Sequence, residues 1–356
     1  MTDYYEVDFL SVETAKSGDA ITLRYSIDGI ESIHVVDGGY VDTGDQIVEH
    51  LTKHYGRVEI DHVVLTHPDR DHANGLRKVL EQCEVRNLWI NRPWRYAKEL
   101  LPRFETYTSE DALYCKLRSI YDATATLEDL ALERGIPIHA PLQGAVIGAF
   151  MVLAPSRERY LDLIVESDKT PEAIDEQTIG GAMESLGRLI KAAATYIKAL
   201  WGDEYFPPAP TSRENEMSVV QTTLLKGDRI LLTGDAGRET LQEAIDYAKR
   251  IGIALPGIQV FQVPHHGGRH NVSTEVLDQL LGQRLPALPD KHTWSAICSA
   301  AKADDHHPRK SVIRAMLHRG GHFSSTESGT RCRANGIERP GWNPVPQIPY
   351  PEEQEN

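Results

Sequence analysis

The chain has few cysteines and no long hydrophobic run, and it carries no excess of positive charge. Its four cysteines, at positions 83, 115, 298 and 332, show no paired spacing. This argues against a disulfide framework or a thiolate zinc site and favours reduced thiols. No stretch reaches the roughly 18 apolar residues of a membrane span. The acidic start, MTDYYEVDFL, lacks the basic and apolar regions of a signal peptide. We therefore expect a cytoplasmic protein without a membrane span.

The net charge of −14 over 356 residues limits the classes of partner. It argues against broad electrostatic adhesion to nucleic acid, because phosphate binding depends mainly on Lys and Arg. It does not exclude a nuclease, since an acidic cation site contributes to this charge and bound cations reverse its local sign. The hydrophobic content of 40% and the charged content of 25% are ordinary for a globular protein.

One short stretch, residues 66–72, concentrates side chains that can bind metal. It holds four of them in six residues, those of His67, Asp69, Asp71 and His72. The apolar run 60–65 before it predicts a buried strand, and a helical pattern begins at Leu76. We therefore expect the motif to be a loop at the carboxyl end of a strand.

Such a loop allows the four side chains to converge on cations. His67 and Asp69 can close on one cation while Asp71 and His72 close on a second, and two such cations bridge and acidify a water. The alternative is a polar loop in which Asp71 or Asn74 caps the next helix. The downstream residues decide between these interpretations in favour of metal.

Strands and helices alternate along most of the chain. Strands are predicted over 7–12, 20–25, 32–36, 60–65, 85–90, 145–154, 218–225, 229–233, 258–263, 294–299 and 322–327. Helices are predicted over 44–55, 76–84, 110–134, 238–250, 274–281 and 309–319. This order predicts an α/β fold for a domain covering 1–330, followed by an extended tail over 331–356.

Residues 156–214 interrupt the alternation and are predicted to be a helical and proline-rich insertion. A helix is expected over 181–201, with an apolar face formed by Met183, Leu186, Ile190, Ile197 and Leu200. A proline-rich connector follows at 206–210. The insertion is interpreted as a lid, a substrate-binding arm or a homo-oligomer contact, with a surface decoration as the plain alternative.

Acids and histidines recur at the ends of predicted strands. Beyond the first motif these are Asp37, Asp235, the pair His265 and His266, and His307. Taken singly, each is explained by a turn or a surface loop. Their recurrence around one motif is what an α/β sandwich needs to build a site along one edge of its sheets.

At these residues the chain resembles the metallo-β-lactamase superfamily. The signature His-x-His-x-Asp-His stands here as His67-Pro-Asp69-Arg-Asp71-His72. Within the superfamily it looks most like the soluble hydrolase domain of ComEC-type DNA-uptake proteins. Those proteins share the second-position aspartate, a Leu-Leu-Thr-Gly-Asp run (here 231–235), a His-His-Gly run (265–267) and a late His-Pro (307–308). The resemblance spans about 5–330 and fails over 156–214.

The resemblance implies a four-layer αβ/βα sandwich with two similar halves. It also implies a set of metal ligands, with Asp235 bridging two metals and His265 on the second: His67, Asp69, Asp71, His72, Asp235 and His265. Asp37 is implied as a support for the site. The family's separate middle histidine has no counterpart, although Asn215 or Glu216 stands near its place, and the glycine–aspartate element near the N-terminus is lengthened to 13–19.

The carboxylate of Asp69, in place of an imidazole, makes the site richer in oxygen. That shifts its preference from zinc towards Mn²⁺, Mg²⁺ or Fe²⁺. We expect two divalent cations, with Mn²⁺ favoured and Zn²⁺ as the alternative.

The function expected first is that of a dinuclear phosphodiesterase or nuclease in which a metal-bridging hydroxide attacks phosphorus. Asp71 or Asp235 would orient the hydroxide, and His266 or His307 would protonate the leaving oxygen. Candidates for contacts with a nucleic acid or nucleotide-like substrate are Arg92, Arg95 and Arg309 for phosphate and Trp94 for stacking on a base. Surface charge and core packing are the plain alternatives for these four.

Two other functions remain open at this point. One is hydrolysis of a small molecule, such as a cyclic nucleotide, a nucleotide, a lactone or a thioester. The other is a metal-binding module without catalysis, which the missing middle histidine motivates. A basic groove leading to the metals would favour the nuclease, and an enclosed apolar pocket would favour the small molecule.

Overall fold

The structure is a computed structural model that describes residues 3–12, 14–170 and 196–356. Its strands are β1 Tyr4–Phe9, β2 Ala20–Ile27, β3 Ile30–Gly38, β4 Glu59–Ile60, β5 His62–Val64, β6 Glu84–Val85, β7 Leu88–Trp89, β8 Ile138–His139, β9 Val146–Ile147, β10 Phe150–Ala154, β11 Tyr196–Lys198, β12 Val220–Leu225, β13 Asp228–Leu232, β14 Val260–Gln262, β15 Trp294–Cys298, β16 Gly321–Ser325, β17 Arg331–Asn335 and β18 Glu353–Glu355. Its α-helices are α1 Val41–His50, α2 Arg70–Gln82, α3 Ala97–Leu100, α4 Glu110–Ile120, α5 Asp122–Glu133, α6 Arg157–Glu166, α7 Arg213–Glu216, α8 Arg238–Arg250, α9 Thr274–Leu281 and α10 Lys310–His318.

Two seven-stranded sheets form the centre of the fold. The first has the order β17-β1-β2-β3-β5-β7-β8, and the second has the order β16-β15-β14-β13-β12-β10-β9. Strands β3, β5, β7 and β8 run parallel in the first sheet, and β13 to β16 run parallel in the second. The carboxyl ends of parallel strands meet at one edge of each sheet, which is where loops can build a site.

Three hydrophobic clusters arrange the sheets and helices in four layers. One cluster lies between the sheets and includes Phe9 and Ile230. A second packs α1, α2 and α5 on the outer face of the first sheet, and a third packs α8, α9 and α10 on the outer face of the second sheet. The predicted α/β class and the four-layer sandwich are confirmed.

Most predicted elements are present, and three are wrong in detail. The helix expected over 110–134 is two helices, α4 and α5, because Tyr121 between them leaves helical geometry with φ −103° and ψ 49°. The strand expected over 145–154 is the hairpin β9–β10, which turns at Gly148 with φ +57°. The end of the helix expected over 181–201 is the strand β11, while its part up to 195 lies outside the described residues.

The boundaries of the insertion and of the tail stay predictions, and the structure adds contacts on both sides of them. Helix α6 buries Tyr160 and Leu163 in a cluster with Trp94 and Leu117. In the predicted tail, β17 pairs with β1 of the first sheet, and β18 pairs with β11. Within the described ranges, no helix is long and apolar enough to cross a membrane.

Candidate metal centre

The loops that follow four parallel strands bring the predicted ligands to one place. Asp37 ends β3, His67 follows β5, Asp235 follows β13 and His265 follows β14. Strands β3 and β5 are neighbours in the first sheet, and β13 and β14 are neighbours in the second. The candidate site therefore lies where the carboxyl-end edges of the two sheets face each other.

The first motif is partly helical rather than a loop throughout. Asp69 is the N-cap of α2, with extended backbone angles, and the helix begins at Arg70. Asp71 and His72 consequently lie in the first turn of α2, and neither Asp71 nor Asn74 is the cap. The side chain of Asp69 makes no capping hydrogen bond, and its carboxylate instead lies 3.8 Å from His67 Nε2 and 2.8 Å from Lys169 Nζ.

Asp235 lies at the centre of a group of imidazoles. Its carboxylate is 3.4 Å from His72 Nε2 and 3.8 Å from the Nε2 atoms of His67, His265 and His266. The side chain is 3% exposed. One buried carboxylate within reach of four ring nitrogens has the placement of a shared ligand.

Asp37 stands behind His72 on the side away from Asp235. Its Oδ2 accepts hydrogen bonds from His72 Nδ1 at 2.7 Å and from Thr66 Oγ1 at 2.7 Å, and its Oδ1 accepts one from the Thr66 backbone at 2.8 Å. A carboxylate on Nδ1 fixes the ring and its tautomer, so that Nε2 is presented to the site. The predicted support residue is in place to do this.

Several buried polar atoms of the site have no hydrogen-bond partner among the residues that the structure describes. They are the Nε2 atoms of His67, His72 and His266 and the Oδ1 atoms of Asp19 and Asp235. Buried polar atoms in proteins are nearly always paired. Ligand atoms of these residues fall into groups within 4.8 Å of one another, such as His67 with His72 and Asp235, or Asp71 with His72 and His266. The residues present therefore fit divalent cations.

The carboxylates of the site raise the pKa values of two of its histidines. Burial disfavours charge on His266, but the carboxylates of Asp235, Asp71 and Asp19 outweigh it and raise the pKa of His266 to about 9. Burial also opposes charge on His72, yet Asp235 and Asp37 raise its pKa well above the usual range. Both shifts favour the protonated rings when no cation is bound, and a cation that binds there would displace those protons.

The consecutive histidines at 265 and 266 have different surroundings. His266 is buried, with Nε2 at 3.5 Å from Asp71 Oδ2 and Nδ1 near the Ser299 carbonyl at 3.0 Å. His265 is 30% exposed, and its Nδ1 contacts Asn271 Oδ1 at 2.8 Å. The second cation was expected to bind His265, whereas the group with Asp71 and His72 contains His266.

Three residues of the site were missed as candidates. Asp19 is 1% exposed, and burial raises its pKa to about 6 against the opposing effect of the nearby histidines. Gln262 donates to Asp19 Oδ2 at 3.1 Å and accepts from the Thr233 backbone at 2.8 Å. Lys169 Nζ lies 2.8 Å from Asp69 Oδ1. Only Asp19 had a signal in the sequence, the glycine–aspartate turn.

His307 lies at the rim of the site and is held by an acid. Its Nδ1 is 3.1 Å from Asp304 Oδ2, and Asp304 also accepts a hydrogen bond from Ser17 Oγ at 2.8 Å. The His307 ring is 5.4 Å from the ring of His265 and 6.0 Å from that of His266. This places an oriented imidazole beside the cluster.

The predicted substrate contacts are less well supported by their surroundings. Arg92 Nη1 donates to Glu128 at 2.9 Å, and Trp94 is 1% exposed and donates to the same carboxylate at 2.8 Å. Trp94 therefore cannot stack on a base. Arg95 is exposed on the turn 93–96, and the backbone of Arg309 donates to Gly267 at 3.1 Å, next to the two histidines.

The two residues near the place of the missing histidine have other partners. The Glu216 carboxylate accepts the Thr240 backbone N–H at 2.8 Å and so caps α8. Asn215 Nδ2 donates to Thr211 Oγ1 at 2.7 Å. Neither contact is with a predicted ligand.

Comparison with known proteins agrees with this geometry. A family model described as the metallo-β-lactamase superfamily matches residues 32–143, which contain the first motif and Asp37. This match supports the metallo-β-lactamase superfamily. The two large sheets flanked by helices are consistent with the metallo-β-lactamase fold. No curated protein matches the chain, and the resemblance to ComEC-type proteins stays a prediction.

Three solved structures resemble the chain at low identity. A metallo-β-lactamase-type protein of Thermotoga maritima is 10% identical, covers 70% of this chain and 92% of its own, and has a TM-score of 0.32. A hydrolase of the β-lactamase superfamily is 11% identical over 61% of this chain and 56% of its own, with a TM-score of 0.29. A diphosphatase of the PhnP family is 10% identical over 93% and 98%, with a TM-score of 0.37. At such scores these likenesses carry no argument about activity.

Proposed function

We propose that the protein is a metal-dependent hydrolase of phosphodiesters. The observation that carries the proposal is the set of buried ligand atoms without partners around Asp235. Divalent cations bound there would acidify a water and offset the charge that develops on a phosphoryl group. Nucleic acid is the first substrate class to test, with small phosphodiesters as the second.

The residues divide into two cation sites that share Asp235. The first set is His67, Asp69, Asp235 and His265. The Nε2 atoms of His67, His265 and His266 all lie 3.8 Å from Asp235 Oδ2. His266 is assigned to the other set because its Nε2 also lies 3.5 Å from Asp71 Oδ2. In this assignment His265 takes the place of the family's middle histidine, since Glu216 and Asn215 are engaged elsewhere. The second set is Asp71, His72, His266 and Asp235. This assignment moves His265 from the second cation to the first and makes His266, first expected to protonate the leaving oxygen, a ligand of the second.

The remaining polar groups orient substrate and move protons. His307, held by Asp304, is placed to give a proton to the leaving oxygen. Lys169 places an ammonium group beside Asp69 at the partly exposed side of the cluster. That group favours an anionic substrate over a neutral lactone or thioester, because it would be paired with the phosphoryl oxygens.

Cleavage assays test the proposal directly. Labelled single-stranded DNA, double-stranded DNA, RNA and bis(p-nitrophenyl) phosphate are incubated with the protein and Mn²⁺, and then with Zn²⁺. We expect hydrolysis that disappears in Asp71→Ala and persists in Asp246→Asn, which removes an exposed carboxylate on α8. Cleavage of the generic ester without any polymer would move the substrate to a small phosphodiester. No hydrolysis of any phosphodiester, with metal bound, would refute the proposal.

The division of the histidines has its own test, which does not depend on activity. His265→Ala and His266→Ala are each loaded with Mn²⁺, freed of unbound metal by gel filtration and analysed by elemental mass spectrometry. We expect each variant to retain one cation of the two. If His265→Ala retains both, His265 is not a ligand.

A further inference from the structure

A polar cavity lies between the edges of the two sheets, away from the candidate metal centre. Strand β17 is the edge of the first sheet and β16 is the edge of the second. Between these edges is a cavity of about 570 Å³, which the tail residues 343–345 also line. This volume is within the range of small-molecule sites. We call it the edge cavity.

The strands that line the edge cavity place polar side chains where the rest of the sandwich has apolar ones. Elsewhere the space between the sheets is filled by side chains such as Phe9 and Ile230. At the edge, the alternate positions His322 and Ser324 of β16 line the cavity, while Phe323 between them packs in the outer cluster. Because side chains alternate along a strand, the two polar residues share the inner face.

The lining of the edge cavity is basic. Five side chains supply this character: Lys291, His292, His322, Arg331 and Arg333. Among the described residues, no aspartate or glutamate belongs to the lining. Within the described ranges, none of these five side chains lies within 4.0 Å of a carboxylate oxygen. The ion pairs that the described residues form involve other lysines and arginines. A cluster of this sign is unexpected in a chain whose net charge is −14.

Two of these groups, Arg331 and His322, are partly buried. Arg331 Nε is buried and has no hydrogen-bond partner among the described residues, although its Nη2 donates to Ser328 at 2.6 Å. Burial lowers the pKa of His322, and the neighbouring His292 and Arg333 lower it further. Burial lowers the pKa of Arg331 as well, against the opposing effect of Glu327. Among the described residues, the lining therefore supplies no carboxylate to its basic side chains, and Glu327, which acts on Arg331, lies outside it.

We propose that the edge cavity binds a small molecule of nucleotide size through its phosphate groups. Arg331 and Arg333 are two residues apart on one strand, which sets their Cα atoms roughly 7 Å apart on the same face. Two guanidinium groups at that separation can hold neighbouring phosphate oxygens by paired, charge-assisted hydrogen bonds. The hydroxyl groups of Ser295 and Ser324 supply further donors to the same space.

The edge cavity is separate from the metal centre. Strand β15 connects them, since Ser295 lines the cavity and Ser299, just past the strand, contacts His266. Ile297, which also lines the cavity, is two residues from Ser299, or roughly 7 Å of extended chain. Among the described residues, the lining contains none of the predicted metal ligands, and this proposal does not depend on the hydrolase proposal.

Calorimetric titration with inorganic pyrophosphate tests the edge cavity. The titration is done with the full chain in EDTA, so that cation-mediated binding at the metal centre is absent. We expect one saturable site, weakened at least tenfold in Arg331→Gln/Arg333→Gln. Arg77→Gln, which changes an exposed arginine on α2, should bind as the unaltered protein does.

A second variant has its substitution outside β17, so that a loss of binding in it does not result from misfolding of that strand. Lys291 is exposed and precedes β15, so Lys291→Glu introduces an opposing charge without altering a sheet. It should also weaken pyrophosphate at least tenfold. Absence of saturable binding, or unchanged affinity in both altered proteins, would overturn the proposal. So would binding of an oligonucleotide in place of pyrophosphate, because that would make the cavity part of a polymer-binding surface.

Discussion

Replacement of Asp235 by asparagine provides the sharpest test of the metal centre. In the part of the chain that the structure describes, this carboxylate is the one group that approaches His67, His72, His265 and His266 together, at 3.4 to 3.8 Å. Asparagine has the same shape, and the backbone contacts of residue 235 with Ser218 and Asn271 remain. The substitution therefore removes the shared charge and leaves the loop.

The expected magnitude follows from linkage between binding and unfolding. A cation that binds only the folded protein, present at 100 times its Kd, stabilises that protein by about 2.7 kcal/mol. In Asp235→Asn, which lacks the shared carboxylate, affinity for both cations should fall at least 100-fold. At the same metal concentration the stabilisation by each cation then drops to about 0.4 kcal/mol or less.

Urea unfolding measures this difference. Each protein is unfolded in EDTA and in Mn²⁺, and only its own difference between the two conditions is compared, so that effects of the substitution on the metal-free protein cancel. The unaltered protein and Asp246→Asn should gain the full stabilisation, and Asp235→Asn should gain almost none. An equal gain in Asp235→Asn would show that Asp235 is not a shared ligand, and the two-site reasoning would fail.

Three further predictions concern substrate binding, backbone packing and the pH dependence of stability. Lys169→Gln should raise KM for bis(p-nitrophenyl) phosphate roughly tenfold with little change in kcat, because a charged hydrogen bond contributes about 1.5–3 kcal/mol. Equal changes for a neutral ester would contradict its proposed role. Gly75→Ala should lower the free energy of unfolding by at least about 1–3 kcal/mol, since a Cβ there would stand 1.9 Å from a backbone carbonyl oxygen. Gly257→Ala, whose Cβ meets its nearest atom at 3.6 Å, should change unfolding by less than about 0.5 kcal/mol. Burial alone would raise the pKa of Glu204, but hydrogen bonds from His318 and Arg319 lower it from 4.5 to about 2. Its contribution of about 3 kcal/mol is therefore complete above pH 4.5 and lost as the pH falls towards 2. Urea titrations across this range should show a shallower acid loss in Glu204→Gln, and an unchanged slope would contradict the assignment.

Local signals in the sequence were sufficient where capping or turn chemistry agrees with the fold. Helices α8 and α9 begin and end at the predicted residues, and Ser273 Oγ caps α9 by accepting the Val276 N–H. The hairpin of β12 and β13 turns at Lys226 and Gly227, as its turn residues predict. Such elements depend on residues close in sequence, so a single chain reveals them.

Long-range contacts account for the errors. Tyr121 interrupts a continuous helical pattern because its side chain is buried and its hydroxyl donates to Glu214, 93 residues away. Gly148 divides the predicted strand where a Cβ would stand 2.3 Å from the Tyr25 hydroxyl. Asp19, at the candidate metal centre, accepts a hydrogen bond from Gln262, which is 243 residues away in the chain. Hydrophobic periodicity carries no information about such distant partners.

The backbone of the loop 265–268 explains how the side chains of two consecutive residues can both face the carboxylate of Asp235. In extended backbone, successive side chains point to opposite sides. Here both His265 and His266 have left-handed backbone angles, with φ of 49° and 54°, and their rings lie 5.7 Å apart on the side of Asp235. Such angles cost about 1–3 kcal/mol each for residues other than glycine and persist where the surroundings enforce them.

The two glycines that follow allow the close packing that keeps His265 and His266 in these backbone angles. A Cβ at Gly267 would stand 2.6 Å from Pro308, and one at Gly268 would stand 2.7 Å from His265 Nδ1. The loop is therefore packed between the His-Pro segment and the first histidine ring, with space for glycine only. The four residues of the run His-His-Gly-Gly therefore act together. The glycines permit the close packing that holds both imidazoles against Asp235.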